Sequence, residues 1–555
     1  MSRFQIIILQ LSKMSDLKDK ILKIYPAAQF EDGQDLLFSV EEKDWLKVAT
    51  LLKNDLGFDV LTAVVGMDWK ENRGVIYYLT ATARNWEMVS VKVLAAKSGD
   101  DEYIHSVTSL WKVANFQERE VYDMFGIKFV GHPDMRRFFL RNDWVGHPLR
   151  KDYDANPALN PIRLEEETNE DDTRTYEVDA DGKLEEKPGK VFEKNEYVVN
   201  IGPQHPSTHG VMRFRASIDG ETVKKVDVVS GYIHRGIEKL SEGLGYPQLL
   251  HFTDRMDYMS AHQNRHCLCM CIEKALGLEV PRRAQVIRTM MDELMRISSH
   301  LLSFGCTAMD LGATTAFFYG FREREQVLDI FEKTCGARMS MNYNVIGGVI
   351  ADLHPDFVKD VKALLSIMPE RLKEYHKVFS GNLIAKNRLV GVGMLKKEDA
   401  INYAITGPSG RGSNWSCDCR KKHPYAVYDE VQFDEVLLDG CDSYSRYMVR
   451  MKEIEQSCRI LEQLVDRIPE GDIRAQVPKI IKLPAGRWYQ QVEASRGTFG
   501  VYIESVGEKT PFRVHFQSPC FNLVGVMDLC CSGYMIADLI TIGAALDFVI
   551  PDIDR

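Results

Sequence analysis

Two histidines four residues apart, His205 and His209, sit in the run N-I-G-P-Q-H-P-S-T-H-G-V-M-R-F at 200–214. Gly202, Pro203, Pro206 and Gly210 forbid a regular helix or strand through it. An imidazole changes its charge near neutrality, so such a loop can bind an acceptor, give it a proton, or brace nearby backbone. The loop alone does not decide among these. The other chemistry-bearing type is cysteine. All 12 cysteines lie between Cys267 and Cys531, with no C-x-x-C pair. Cys267 and Cys271 share a helical face, Cys269 does not, and the spacings do not match zinc or iron–sulfur sites. We read most of them as small buried apolar residues in a reducing compartment.

The elements that must position these residues exceed one core. At 555 residues the chain calls for two domains or more. A net charge of −10 gives no reason to expect nucleic acid as a general partner. No apolar run is long enough to span a bilayer. The short apolar start, F-Q-I-I-I-L-Q-L, lacks a signal cleavage site, and Met14 is an alternative start.

Residues 1–153 read as an α+β domain. Helix patterns at 16–25, 45–56 and 107–124 flank strand patterns at 35–40, 60–67, 75–82 and 88–94. One sheet with helices on one face is the expected architecture. After Q-E-R-E-V-Y-D-M-F-G-I-K-F at 117–129, an extended tail carries Arg136, Arg137, Phe138, Arg141, Trp144 and Arg150, a composition that favours docking. Residues 154–195 are acidic, nearly free of aromatics and without hydrophobic period; we expect a linker, partly disordered.

Residues 196–555 read as a mainly helical domain with a small β element at its start. Strand patterns at 198–200, 211–217 and 223–229 enclose the Asp219-Gly220 turn. Helix patterns follow at 258–276, 283–304, 322–334, 356–378 and 443–468. The clearest has Ile287, Met290, Leu294, Ile297, Leu301 and Phe304 stepping by 3 and 4. Its opposite stripe, Glu293, Arg296 and His300, is solvated unless the helix is covered all round.

Several runs occur in a definite order: N-I-G-P-Q-H-P-S-T-H-G-V, G-Y-I-H-R-G-I-E-K, D-R-M-D-Y, D-E-L-M-R-I-S-S-H, M-D-L-G-A-T-T-A-F-F-Y-G-F-R-E-R-E and L-D-F-V-I-P-D-I-D-R. Together they resemble the D (49-kilodalton-type) subunit of respiratory complex I, the proton-pumping NADH–quinone oxidoreductase. E-R-E-V-Y-D-M-F-G-I resembles the C (30-kilodalton-type) subunit of that complex. The resemblance implies a bacterial fused C/D subunit with the acidic stretch as joint. It implies a second domain related to the large subunit of nickel–iron hydrogenases. The thiolates that hold the hydrogenase metal are missing where Arg255–Ser260 and Pro551–Arg555 align. Carboxylates and a phenol do not replace thiolates for a soft metal centre, so this chain is expected to bind no metal.

The resemblance further implies a site for quinone, taken as substrate, with His209 and Tyr258 facing it and Asp310 as the acidic partner of His209. His205 is expected to line the pocket. Arg255, Arg296 and His300 are expected toward an iron–sulfur cluster held by the neighbouring B-type subunit, or in an ordinary buried ion-pair network. Many relatives carry a histidine in the run at 336–348, linked there to the cluster's pH-dependent potential. Ser340 and Met341 stand at the matching places, so that dependence is expected to be weak. Implied partners are the B-type subunit, the I-type subunit and the H-type membrane subunit. The implied place is the cytoplasmic side of the bacterial inner membrane, peripherally attached. The alternatives are a non-catalytic scaffold or a hydrogenase-like subunit of a membrane-bound redox complex.

Overall fold

The computed structural model describes residues 15–153 apart from 32 and 34, residues 170–204 apart from 180, and residues 209–555. It divides into two compact units, 1–191 with a short return at 402–404, and 192–401 with 405–555.

In the first unit, helix α1 (15–24) precedes β1 (Gln29–Glu31), β2 (Leu37–Val40), α2 (Glu42–Asn54), β3 (Val60–Asp68), β4 (Arg73–Ala81) and β5 (Glu87–Leu94). These strands form one sheet in the order β1-β2-β5-β4-β3, antiparallel except for β2 against β5. Trp45, Val48, Ala49 and Leu52 of α2 are buried at helical spacing, whereas Leu46, which the apolar period also included, is exposed.

The expectation of a single sheet is corrected. A second sheet runs β10-β9-β8-β7-β6, from β6 (Ala96–Ser98), β7 (Asp101–His105), β8 (Ile127–Val130), β9 (Asp172–Val178) and β10 (Leu184–Lys190). Helix α3 (Ala114–Phe125) makes the crossover between parallel β7 and β8. It begins later than the periodicity suggests because buried Glu118 accepts hydrogen bonds from the Ser106 hydroxyl (2.6 Å) and the Val107 N–H (2.9 Å), holding that segment as a turn.

The acidic stretch is corrected in part. Residues 154–169 lie outside the described residues. Residues 172–190 are a β-hairpin of the second sheet, not a linker. Its turn is held by the Asp179 carboxylate, which accepts from the N–H groups of Asp181 (2.9 Å) and Lys183 (2.8 Å). Across the hairpin Lys187 pairs with Glu177 and Lys190 with Asp172, while Tyr176 is buried. Lys190 stands directly across from Asp172 and Lys187 reaches Glu177 on the diagonal, and opposite charges so placed stabilise pairing. Composition alone reads the same charges as disorder.

In the second unit, β11 (Tyr197–Gln204), β12 (Met212–Asp219) and β13 (Thr222–Val229) form an antiparallel sheet with its turn at Gly220-Glu221. Helices α4 (Ile237–Ser241), α5 (Tyr246–Met256), α6 (Ala261–Leu276), α7 (Arg282–Asp310) and α8 (Thr314–Cys335) follow, then the short pair β14 (Asn344–Val345) and β15 (Gly348–Val349), and α9 (Phe357–Tyr375). Short helices α10 (Leu383–Leu389), α11 (Lys397–Asn402), α12 (Gly407–Arg411) and α13 (Cys419–Lys422) lead to α14 (Ser443–Leu464). Helix α7 is buried on both its apolar stripe and its charged one, so it is covered all round.

One β element escaped the pattern reading: β16 (Ala485–Ala494), β17 (Gly497–Val506) and β18 (Arg513–Gln517) form an antiparallel sheet beside α6. The thiols of Cys267 (3.3 Å) and Cys271 (3.8 Å) donate to the carbonyls of Gln490 and Trp488 on β16, which fixes the shared face of α6. The chain closes with α15 (Pro519–Gly525), α16 (Met527–Cys531), α17 (Ile536–Leu546) and α18 (Ile550–Ile553). Among the described residues no helix is long and apolar enough to cross a membrane.

Candidate functional site

His209 lies in the turn between β11 and β12, with a φ of 51°. A left-handed backbone is uncommon outside glycine and costs on the order of 1 kcal/mol or more, so surrounding structure must impose it. The next residue shows what imposes it. Gly210 has a φ of 152°, and a Cβ there would stand 2.5 Å from the Ile550 Cβ and 3.0 Å from the Pro551 Cδ. The loop is pressed against α18, and only glycine fits.

Tyr258 is delivered by the turn after α5. Asp257 shapes that turn: its Oδ1 accepts the Met259 N–H at 3.0 Å, and its carbonyl accepts the Ser260 N–H at 3.0 Å. The Tyr258 hydroxyl then stands 3.1 Å from Nδ1 of His209, with the two rings edge to face. Depending on tautomer, the phenol donates to the imidazole nitrogen or accepts from it. His209 is buried and Tyr258 half-buried. Burial is the main cause that pushes the Tyr258 phenol up to about 12; nearby Arg496 and Arg324 pull it down, and the Asp257 carboxylate pushes it further up.

Arg496 is the site residue that the motif reading missed. It occupies the two-residue turn between β16 and β17 and is fully buried. Its Nη1 donates to Asp257 (3.1 Å) and to the Ser299 hydroxyl (3.0 Å), and its Nη2 approaches Asp547 at 3.4 Å. The guanidinium therefore fixes the carboxylate that shapes the Tyr258 turn. The signal in sequence was A-S-R-G between two alternating runs, a hairpin whose tip is an arginine.

Asp310 ends α7 and is half-buried. Its charge and that of Asp547 bear on the Cys306 thiol, which burial pushes up to about 12, and Cys306 in turn bears on Tyr258. Asp310 and Tyr258 thus both lie near Cys306. His205 lies outside the described residues.

The remaining three are placed apart from the pair. Arg255, on the last turn of α5, is 59% exposed with Asp254 4.0 Å away. Arg296 and His300 are fully enclosed in a network of charged side chains. Arg296 pairs with Glu293 (3.4 Å) and donates to the carbonyls of Glu493 (2.7 Å) and Ala494 (3.1 Å). Glu293 also accepts from Arg420, Ser457 and Tyr428. His300 bonds Glu453 at 2.9 Å, and Arg411 bridges Glu453 and Glu493 at 2.7 Å each. Burial holds the His300 imidazole down at about 4, so it is neutral here. This network ties α7 to the end of β16 and thereby to the hairpin tip that carries Arg496.

Two family profiles match the chain. The one described as respiratory-chain NADH dehydrogenase, 30 Kd subunit, matches residues 38–158, and the one described as the 49 Kd subunit matches 310–555. The NADH-quinone oxidoreductase C/D subunit of Bacteroides fragilis is 53% identical over 534 residues, 93% of this chain and 100% of that protein. The chain belongs to the C/D subunit family of NADH-quinone oxidoreductase. It is a fused subunit of respiratory complex I and part of an oxidoreductase. The C/D subunit of Phocaeicola vulgatus is 54% identical over 506 residues, 91% of this chain and 96% of that protein. The D subunit of the Bacillus cytotoxicus NADH-quinone oxidoreductase is 43% identical over 360 residues, 65% of this chain and 98% of that protein. The C/D fusion agrees with the division into an N-terminal sheet-and-helix unit and a mainly helical C-terminal one.

Proposed function

We propose that the His209–Tyr258 pair donates hydrogen bonds and then protons to a quinone, with Asp310 orienting His209. The observation that carries this reading is the 3.1 Å contact between two titratable groups brought together by a strained loop. A quinone presents two carbonyl oxygens, which only accept hydrogen bonds. Two-electron reduction makes them strongly basic. A phenol held up to about 12 keeps its proton until such a base forms, then releases it. The imidazole supplies the second proton, and a carboxylate beside it favours the charged, donating form.

In this reading the electrons arrive from an iron–sulfur cluster on the B-type subunit. Arg255, exposed at the end of α5, fits a place toward that partner. The I-type subunit and the H-type membrane subunit complete the surroundings, on the cytoplasmic side of the inner membrane. A relation to the hydrogenase large subunit is retained as ancestry. The hydrogenase reading itself is disfavoured by donor chemistry: the aligned places at Arg255–Ser260 and Pro551–Arg555 carry no cysteine, and carboxylates and a phenol do not replace thiolates for a soft metal centre.

The scaffold reading draws on Arg296 and His300, whose polar groups serve internal bonds. Substitution in the intact complex separates the two. Tyr258→Phe keeps the ring and removes the proton; quinone reduction is expected to fall by about 100-fold or more with the complex assembled. Wild-type turnover in Tyr258→Phe overturns the catalytic reading.

A further inference from the structure

Asp552, on α18, is fully buried. Its helix packs on both structures that carry the pair: Ile550 and Pro551 press on Gly210, next to His209, and α18 contacts α5, which leads into Asp257 and Tyr258. Oδ2 of Asp552 accepts from the Ser518 hydroxyl at the start of α15. Oδ1 is enclosed and takes no regular hydrogen bond from the described residues.

The charged and titratable groups facing Asp552 are Asp257, the Cys520 thiol and Arg555. Neither nearby guanidinium is committed to it. Arg555 bonds Glu238 (3.4 Å) and the Ile553 carbonyl (3.3 Å). Arg496 bonds Asp257 and Asp547. Burying a carboxylate to which no guanidinium is bonded is costly and strengthens its hold on a proton, while the Cys520 thiol and the Arg555 charge moderate that cost. Burial first, then the Asp257 charge, push its carboxyl up to about 6. A group titrating close to the working pH can both give up a proton and regain one.

We propose that Asp552 is the internal carboxyl that returns a proton to the His209–Tyr258 pair after each quinol is made. The proposal rests on reading that pair as the proton donors to quinone. In the first step the Tyr258 O–H bond breaks and the proton joins the quinol oxygen, leaving a phenolate. In the second the Asp552 O–H bond breaks and the Tyr258 O–H bond re-forms. Asp552 is then a carboxylate and takes the next proton from water. No electrons move in the return step. Asp552 acts through Tyr258 and does not touch the quinone; it is a positioning residue for the proton.

The test uses the intact complex carrying Asp552→Asn or Asp552→Glu, in single-turnover and steady-state assays across pH. In Asp552→Asn the first quinol forms at the wild-type rate and the KM for quinone is unchanged. Steady-state turnover falls on the order of 100-fold. Wild-type turnover is expected to decline as pH rises above about 6, and that decline to disappear with the carboxyl. Asp552→Glu keeps a carboxyl, restores turnover, and shifts that decline along the pH axis. Wild-type turnover and pH profile in Asp552→Asn overturn the proposal. So does equal slowing in both variants with the profile unmoved, or loss of the first turnover in Asp552→Asn. If Asp552→Asn does not assemble, Asp552→Glu decides alone, and an unmoved profile overturns the proposal. A normal first turnover in Tyr258→Phe would instead remove the reading of the pair, an outcome distinct from these.

Discussion

At the residue scale, single side chains do several jobs because burial changes what they are. Glu118 is one of them. It accepts two hydrogen bonds in the core of the first unit, and burial pushes its carboxyl up to about 8 from 4.5. The unfolded chain ionises this group from about 4.5 upward, whereas the folded chain keeps its proton to about 8. The folded state thus binds more protons across that window, and stability falls as pH rises through it, then levels off. Hydrogen exchange of the first unit is expected to quicken between these pH values, and Glu118→Gln to flatten the trend. An unchanged trend in Glu118→Gln would contradict the assignment. Of the site residues, His209 and Tyr258 were legible from the motifs in which they stand. Arg496 and Asp552 were not legible in the same way. Their meaning lies in which carboxylates and loops face them across hundreds of residues, and a one-dimensional reading carries no such distances.

At the scale of elements, α7 and the β16–β17 hairpin act as one brace. The helix was legible from its apolar period, and its charged stripe carried the ambiguity. The structure resolves the ambiguity by burying both stripes. The hairpin was lost, although its strands run to 10 residues each, because it leads into an apolar region and stands beside helices. Helix and strand compete closely in such a stretch. The hairpin of 172–190 was lost for the opposite reason, since strands rich in charge have no apolar period to find. Arg296 joins the two halves of the brace. Arg296→Met leaves Glu293 with one guanidinium fewer and two strand-end carbonyls without a donor. Removing one partner of a buried ion pair costs about 3–5 kcal/mol. Faster hydrogen exchange around 493–497 and a lowered unfolding temperature are expected. Exchange at wild-type rates would show that the hairpin tip is held by other means.

At the scale of the whole molecule, two units with their own sheets and helices share one chain, and relatives include both C/D fusions and a D subunit standing alone. The division into two units was legible because composition and pattern change along the chain. The boundary was placed less well, since the charged hairpin belongs to the first unit. In the proposed function the pair supplies proton donors and the electrons come from another subunit. The account therefore stands or falls on the assembled complex. Its central claim is that His209 and Tyr258 face the quinone. The most direct measurement is a structure of the intact complex with quinone bound. The account predicts a quinone carbonyl oxygen within hydrogen-bond distance of Tyr258 or His209, in a cavity next to the B-type subunit's cluster. A headgroup bound with both side chains turned away from it would contradict the account.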